Sequence, residues 1–222
     1  MEHLWSAERQ VSGRGRRGRP WHSPKGSGIW MSILLRPQIH PMSASMLTLV
    51  AAMAVYDAIS SRVEGCAIKW PNDIVIDGRK VCGILTEMSS ELDNIHYVVI
   101  GIGINVNTDD FPVDIASVAT SMHVITGAYY KRAEIIADIW KAFEKYYDFF
   151  VQTENLVLMV DTYNQRLVNM DRRVMIEERG HRYEGTARGI DAEGGLLVER
   201  DDGTTTSVIS GEVSVRGILG YV

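Results

Sequence analysis

The sequence feature that most constrains the fold is a strand–turn–strand segment in residues 74–88. An apolar run, IVI, is followed by Asp77 and Gly78, and a second apolar run, VCGILTEM, returns from residue 81. An Asp-Gly pair between two such runs is a strong signal for a tight β-hairpin. The longest apolar stretch of the chain, YVVIGIGINV in residues 97–106, follows and has the length and composition of a buried strand. The sequence therefore predicts a sheet built around this hairpin.

Helical patterns, and a later change from helical to alternating spacing of apolar residues, indicate how the rest of the chain is organised. A strand-like run, IWMSILL, occupies residues 29–35, and apolar residues recur at helical spacing in residues 41–62 and 132–152. Further along, five short alternating segments are separated by glycine-containing turns, which is typical of a small β-barrel. We therefore expect an α+β domain with a mixed sheet over residues 1–166 and a small all-β domain over residues 167–222.

Composition and charge exclude several classes of protein. The chain has 222 residues and a formal charge of −5, and its pI of about 5.7 argues against a broad nucleic-acid-binding face. No uninterrupted apolar run is long enough to span a membrane, and the first ten residues lack the apolar core of a signal peptide. The two cysteines, Cys66 and Cys82, are too few for a disulfide framework and lack the spacing of metal ligands. We expect buried free thiols in a cytoplasmic protein without membrane association.

The densest positive charge of this acidic chain lies in residues 12–21, SGRGRRGRPW. Four arginines are interspersed with three glycines there, namely Arg14, Arg16, Arg17 and Arg19 with Gly13, Gly15 and Gly18. Glycine lets the backbone approach a ligand closely, and guanidinium groups bind phosphate or carboxylate in a bidentate way. A strand rather than a helix follows, and the Lys-Ser/Thr ending of a P-loop is absent, so neither a P-loop nor a Rossmann turn is predicted. Taken alone, the segment also fits an RNA-binding arginine–glycine tail or a solvated basic loop.

A second group of charged residues surrounds the hairpin in residues 69–85, KWPNDIVIDGRKVCGIL. Asp73 and Lys80 lie on opposite arms of the hairpin, so both can face one cavity. A carboxylate beside an ammonium group suits a magnesium–nucleotide site, and an ordinary surface ion pair is the alternative. In residues 101–105, GIGIN, the glycines indicate close backbone approach. Asn105 could offer its amide to adenine or simply end a packed strand.

These three segments together resemble the biotin–protein ligase family, and the similarity extends over residues 10–222. The resemblance implies a catalytic domain of the kind that the family shares with class II aminoacyl-tRNA synthetases, followed by a small SH3-like β-barrel. It also implies a reaction in two steps. The carboxylate of biotin, a substrate, attacks the α-phosphorus of ATP, which enters with Mg²⁺, to give biotinyl-5′-AMP and pyrophosphate. A carrier lysine then takes the biotinyl group and releases AMP.

The resemblance assigns roles to individual residues. The residues implied in catalysis are Arg16, Asp73 and Lys80. The residues implied in biotin binding are Gln10, Gly13, Arg14, Gly15, Arg16, Trp21, Lys80 and Gly83. The residues implied in binding ATP and the adenylate are Arg14, Arg16, Arg19, Asn72, Lys80 and Asn105. Asp73 is the implied magnesium ligand.

The sequence departs from the family pattern at its start. The family's upstream strand and helix, with a Ser-Thr-Asn motif that contacts biotin, find no match before Gln10, and no winged-helix DNA-binding domain is present. We therefore expect a ligase that is shortened at its N-terminus, has reduced activity and does not bind DNA.

The expected partner is the biotin carboxyl carrier domain of a biotin-dependent carboxylase, and the ligase is expected to act as a monomer or a homodimer. Three other functions remain open. The first is a lipoate or octanoate ligase, which uses the same acyl-adenylate chemistry. The second is a non-catalytic protein that holds a carrier domain, and the third is a protein that binds nucleic acid through its arginine-rich tail. The arginine-rich segment and KWPND favour biotin over the first alternative. The intact set of Arg16, Asp73 and Lys80 favours an enzyme over the second.

Overall fold

The computed structural model describes residues 3–178, 180–209, 213–218 and 221–222, which form two sheets and four α-helices. The elements in chain order are β1 (His3–Ala7), β2 (Ile29–Leu35), α1 (Leu47–Ser60), β3 (Cys66–Lys69), β4 (Asp73–Ile76), β5 (Arg79–Glu91), β6 (Asn94–Ile104), α2 (Met122–Thr126), α3 (Arg132–Thr153), α4 (Val160–Arg166), β7 (Arg173–Glu178), β8 (His181–Ile190), β9 (Leu196–Glu199), β10 (Thr205–Val208) and β11 (Val213–Gly217). The first sheet has the strand order β1-β2-β6-β5-β4-β3, and the second has the order β10-β9-β8-β7-β11. This arrangement confirms the predicted α+β class.

The strand ladders of the first sheet are antiparallel, where the sequence predicts a mixed sheet. Short connections explain the difference, because β3, β4, β5 and β6 follow one another without the long crossover that parallel neighbours need. The predicted hairpin lies between β4 and β5, and its turn residues Asp77 and Gly78 have φ of 48° and 75°. A tight hairpin turn requires this left-handed conformation, which aspartate and glycine tolerate.

Helix α1 forms the centre of the core of the first domain. It is apolar on almost every side and lies between the first sheet and α3. The predicted helix start at Pro41 is a 3₁₀ helix, Pro41–Met46, which continues into α1. The stretch Pro41–Ser60 is long and apolar enough to cross a membrane, but 72% of its apolar 18-residue window is buried inside the protein, so it is a core helix. Helix α3 covers α1 with a buried stripe formed by Ile135, Ile139, Phe143, Tyr146 and Phe150.

The buried apolar residues of the second sheet are continuous with the core of the first domain, and hydrogen bonds also tie the two domains together. These buried residues are Val174, Ile176, Ala187, Ile190, Leu196, Val198, Val208 and Val215. At the domain contact, Trp70 Nε1 donates to the carbonyl of Gly194 at 3.0 Å, and Lys69 Nζ donates to the carbonyl of Val215 at 3.1 Å. The two donors, Lys69 and Trp70, are consecutive residues at the end of β3. The second domain is therefore anchored beside the hairpin that carries the candidate site.

Candidate active site

A cavity of about 730 Å³ is lined by residues from both domains. Its wall includes the following residues that the sequence predicts for the site: Gln10, Arg14, Gly15, Arg16, Arg19, Trp21, Asn72, Asp73, Lys80, Gly83 and Asn105. Gly13 is not part of this wall, because its backbone packs against Trp21, where an added Cβ would lie 2.7 Å from the Trp21 carbonyl oxygen. Three segments that are distant in the sequence therefore meet in one place.

The arginine loop, residues 12–21, is folded back onto the sheet. The amide of Trp21 donates to the carbonyl of Gly13 at 2.9 Å, and between them Arg17 turns the chain with a φ of 58°. The side chain of Arg16 reaches the hairpin, where its Nη1 donates to Oδ1 of Asn72 at 3.0 Å. A solvated loop or an RNA-binding tail would not make these contacts, so the loop is part of the cavity wall.

A β-bulge brings Lys80 to the face of the sheet that carries Asp73. Asp73 lies opposite Gly83, whereas Val75 lies opposite Lys80, so β5 contains one extra residue, Val81, between the two pairs. Because side chains alternate along a strand, a β5 without this bulge would direct Lys80 to the other face. Instead, Nζ of Lys80 lies 2.6 Å from Oδ1 of Asp73. The bulge therefore forms the ion pair within the cavity.

The electrostatics of the cavity are dominated by positive charge. Seven lysine and arginine side chains line it, against three carboxylates. Burial by itself raises the pKa of Asp73, but the ammonium groups of Lys80 and Lys69 outweigh burial and hold this pKa below its ordinary value. Burial lowers the pKa of Lys69 to about 8, against the opposing attraction of Asp73. It also lowers the pKa of Arg16. The surplus of cations suits anionic ligands.

Trp21 covers a part of the sheet whose floor is made of glycine. Gly83 and Gly103 lie opposite each other on β5 and β6, and the indole of Trp21 rests on both. A Cβ at position 83 would lie 2.8 Å from Cζ3 of the indole, and a Cβ at position 103 would lie 2.6 Å from its Nε1. Any side chain at either position would displace the ring. The close backbone approach that the sequence predicts at these glycines is thus an approach to Trp21, which forms an aromatic wall of the cavity.

The two amides predicted to contact adenine also brace the cavity wall. Nδ2 of Asn72 donates to the carbonyl of Ile84 at 2.9 Å, and Nδ2 of Asn105 donates to the carbonyl of Thr120 at 3.1 Å. Each amide nitrogen has a second N–H, which is the group that could meet a ligand. The predicted contact with adenine stays a prediction.

Several residues of the wall are not predicted from the sequence. Phe111 follows β6, and Arg216 and Tyr221 come from the second domain. The hydroxyl of Tyr221 donates to Oδ2 of Asp73, although the two residues are 148 positions apart. The ammonium of Lys69 lies 4.2 Å from the centre of the Tyr221 ring. No local sequence pattern signals these contacts, because they depend on how the two domains dock.

The surroundings of Asp73 do not favour its predicted role as a magnesium ligand. Its Oδ1 faces Lys80, and its Oδ2 accepts the hydrogen bond from Tyr221. Within the described residues, no cluster of three or more His, Cys, Asp or Glu side chains is placed to hold a metal ion. Mg²⁺ commonly binds through substrate phosphates and water. This donor set fits a magnesium ion that is carried by its nucleotide rather than one held by the protein.

Comparison with known proteins identifies the class of protein to which this fold and this charged cavity belong. Residues 1–105 match the Biotin/lipoate A/B protein ligase family, and residues 170–216 match the Biotin protein ligase C terminal domain. The chain is 32% identical to the biotin–[acetyl-CoA-carboxylase] ligase of Mycobacterium tuberculosis, over 93% of this chain and 76% of that protein. The chain belongs to the biotin protein ligase family.

Two further similarities extend this result. The chain is 42% identical to the bifunctional ligase/repressor BirA of Bacillus spizizenii over 200 residues, which cover 89% of this chain and 61% of that protein. The chain therefore spans less than two thirds of the length of that relative. The biotin protein ligase from Aquifex aeolicus, solved in complex with biotin and ATP, superposes with a TM-score of 0.85 and 29% identity, over 96% of this chain and 88% of that chain.

Proposed function

We propose that this chain is an ATP-dependent biotin–protein ligase. It forms biotinyl-5′-AMP from biotin and MgATP and transfers the biotinyl group to a lysine of a biotin carboxyl carrier domain. The observation that carries the proposal is the meeting of the Arg16–Asn72 contact, the Asp73–Lys80 ion pair and the indole of Trp21 in one cavity. The presence of biotin and ATP in the Aquifex aeolicus relative supports the same substrates here. The proposal includes a cytoplasmic location and a domain boundary between residues 166 and 167.

The first step brings two anions together. The carboxylate of biotin attacks the α-phosphorus of ATP, and pyrophosphate leaves with the electron pair of the broken P–O bond. The guanidinium groups of Arg14, Arg16 and Arg19 and the ammonium of Lys80 line the cavity and offset the repulsion between the reactants. Because no covalent bond to the protein is needed, positioning and charge stabilisation supply the catalysis. Trp21 offers an apolar surface to the rings of biotin.

The second step transfers the acyl group to an amine. The amine of the carrier lysine attacks the acyl carbon and gives up a proton to the Asp73 carboxylate, a C–N bond forms, and the C–O bond to AMP breaks with its electron pair leaving on AMP. Since the pKa of Asp73 is held low, its carboxylate is ionised at neutral pH and accepts a hydrogen bond from the incoming lysine. Lys80 offsets the negative charge of the departing phosphate. The arginine loop shields the reactive anhydride from water.

Biotin-dependent exchange between ATP and labelled pyrophosphate tests the first step on this chain. We expect exchange in the wild type and a loss of about hundredfold or more in Lys80→Ala, which removes a cation from the cavity. Lys141→Ala removes an exposed lysine from α3 and is the matched control. Exchange with lipoate or octanoate but not with biotin would favour the alternative ligase. Wild-type exchange in Lys80→Ala would contradict the role of Lys80.

A further inference from the structure

Tyr221 connects the second domain to the carboxylate at the centre of the candidate site. Its hydroxyl donates to Oδ2 of Asp73, and the ammonium of Lys69 lies 4.2 Å from the centre of its ring. Nζ of Lys69 also donates to the carbonyl of Val215 in β11 at 3.1 Å. The second domain therefore reaches Asp73 through both the tyrosine and the lysine that supports it.

Two glycines let the neighbouring residue, Val222, approach closely enough to hold Tyr221 in place. A Cβ at Gly217, in β11, would lie 2.0 Å from the carbonyl oxygen of Val222. A Cβ at Gly78, in the β4–β5 turn, would lie 3.0 Å from Cγ2 of Val222. Val222 thus packs between the second sheet and the hairpin that carries Asp73. This packing fixes the position from which the Tyr221 hydroxyl meets the carboxylate.

The two oxygens of Asp73 are held from two directions. Nζ of Lys80 lies 2.6 Å from Oδ1, and the Tyr221 hydroxyl donates to Oδ2. A carboxylate that is held at a single oxygen can rotate about its terminal torsion, which has a broad energy profile, whereas an ion pair at one oxygen and a hydrogen bond at the other restrict it to one orientation. The Tyr221 contact therefore determines how the Asp73 carboxylate is presented to the cavity.

We propose that Tyr221 is a positioning residue for the transfer step, and that through it the second domain orients Asp73 toward the lysine of the carrier. This inference rests on the proposed ligase function. It assigns to the second domain a contribution to the chemistry through a named hydroxyl, in addition to the wall that this domain forms around the cavity.

The proposal predicts a change in the pH dependence of the transfer rate. The titratable and charged groups that face Asp73 come from β3, β5, the arginine loop and the second domain: Lys69, Lys80, Arg16 and Tyr221. Burial raises the pKa of Asp73, the ammonium groups of Lys80 and Lys69 lower it most strongly, and the hydrogen bond from Tyr221 lowers it further. Removal of the hydroxyl therefore moves the pKa of Asp73 upward. The acidic limb of the transfer rate should move with it.

Tyr221→Phe tests the proposal, with Tyr183→Phe as its matched control. Tyr183 is a second-sheet tyrosine whose hydroxyl has no hydrogen-bond partner among the described residues. We expect single-turnover transfer from biotinyl-5′-AMP to an apo biotin carboxyl carrier domain to fall about tenfold in Tyr221→Phe. This fall in the transfer rate should exceed any change in the rate of pyrophosphate exchange. The acidic limb of the pH profile for transfer should shift to higher pH. Tyr183→Phe should follow the wild type in all three measurements.

A measurement without substrates separates this inference from the proposed function. NMR titration of the Asp73 carboxyl carbon should give a higher pKa in Tyr221→Phe than in the wild type. A wild type without biotin-dependent exchange would refute the ligase function and, with it, the role of Tyr221 in transfer. A wild type that does exchange, with a Tyr221→Phe variant that transfers at the wild-type rate and titrates at the same pH, would overturn the positioning role alone.

Discussion

At the scale of single residues, charge and burial together set the pKa values in the cavity, and Lys69 shows this most clearly. Its side chain belongs to a residue that is 6% exposed, and burial is the main cause that lowers its pKa to about 8. The attraction of Asp73 opposes the shift, while the positive charges of Lys80, Arg216 and Arg16 add to it. The unfolded chain retains the ordinary lysine pKa of 10.5. A charged Lys69 is therefore a source of instability in the folded protein.

Between about pH 8 and 10.5, the free energy of unfolding of the wild type should rise relative to that of Lys69→Met. In that range Lys69 is still protonated in the unfolded chain but has released its proton in the folded protein, so the contribution of Lys69 to stability increases with pH. The expected contribution is on the order of 3 kcal/mol across the range. Urea denaturation of both proteins from pH 7 to 11 measures it. Burial raises the pKa of Cys66 and Cys82, so these thiols lower the stability of both proteins as pH rises through the same range. The difference between the two curves is therefore the measurement, and parallel curves would contradict the lowered pKa of Lys69.

The residues that were predictable for the site are those carried by short local motifs. Arg16, Asp73 and Lys80 lie in recognisable segments, and the structure brings all three to one cavity. Tyr221 lies in no such motif, because its contact with Asp73 spans 148 positions. Lys69 lies within a motif, but it is buried at the contact with the second domain, where its Nζ donates to the carbonyl of Val215, and burial is the main cause of its lowered pKa. Docking between domains leaves no local pattern that could reveal these two.

At the scale of elements, the hairpin was predictable and its bulge was not. The Asp-Gly turn forms as expected, because its two residues accept positive φ. The extra residue in β5, Val81, has no signature in the apolar pattern, since it is itself apolar and buried. Yet this bulge decides whether Lys80 faces Asp73. The sequence therefore predicts the elements of the site but not the register that aligns their side chains.

The close packing of Trp21 on glycine residues leads to a prediction about biotin binding. In Gly103→Ala, the new methyl group would lie 2.6 Å from the indole nitrogen, so the ring has to move. Overpacking of this kind costs about 1–3 kcal/mol, and we expect the Kd for biotin to rise roughly tenfold to hundredfold. Isothermal titration calorimetry with biotin measures the change.

Gly101→Ala is the matched control for this experiment, because it adds the same methyl group to the same strand. Its Cβ would meet no atom closer than the carbonyl oxygen of Leu85 at 3.5 Å, which is an ordinary contact. We expect a change in Kd of less than about threefold, below the cost of overpacking. Because Gly101 also lines the cavity, equal losses of affinity in the two variants would show that the added methyl group itself, and not the displacement of Trp21, weakens biotin binding.

At the scale of the whole molecule, both domains contribute to the site, and we expect them to unfold together. The α+β class and the short strands of the second domain were predictable from periodicity, whereas the way the domains dock was not. Trp70, which is 1% exposed, donates from its indole to the carbonyl of Gly194 across the domain contact. Lys69 adds a second hydrogen bond beside it. These buried contacts couple the second sheet to the hairpin of the first.

Trp70→Phe should weaken that coupling. It leaves the buried carbonyl of Gly194 without its donor, which costs about 1–3 kcal/mol. The control, Trp30→Phe, removes an equally buried indole that donates to the carbonyl of Pro24 at 3.3 Å within the first domain. Hydrogen exchange of both domains along a urea gradient measures the effect. The wild type and Trp30→Phe should lose protection in both sheets at one urea concentration, because the domains unfold together. Trp70→Phe should lose protection in the second sheet first, and coincident transitions in that variant would contradict the coupling.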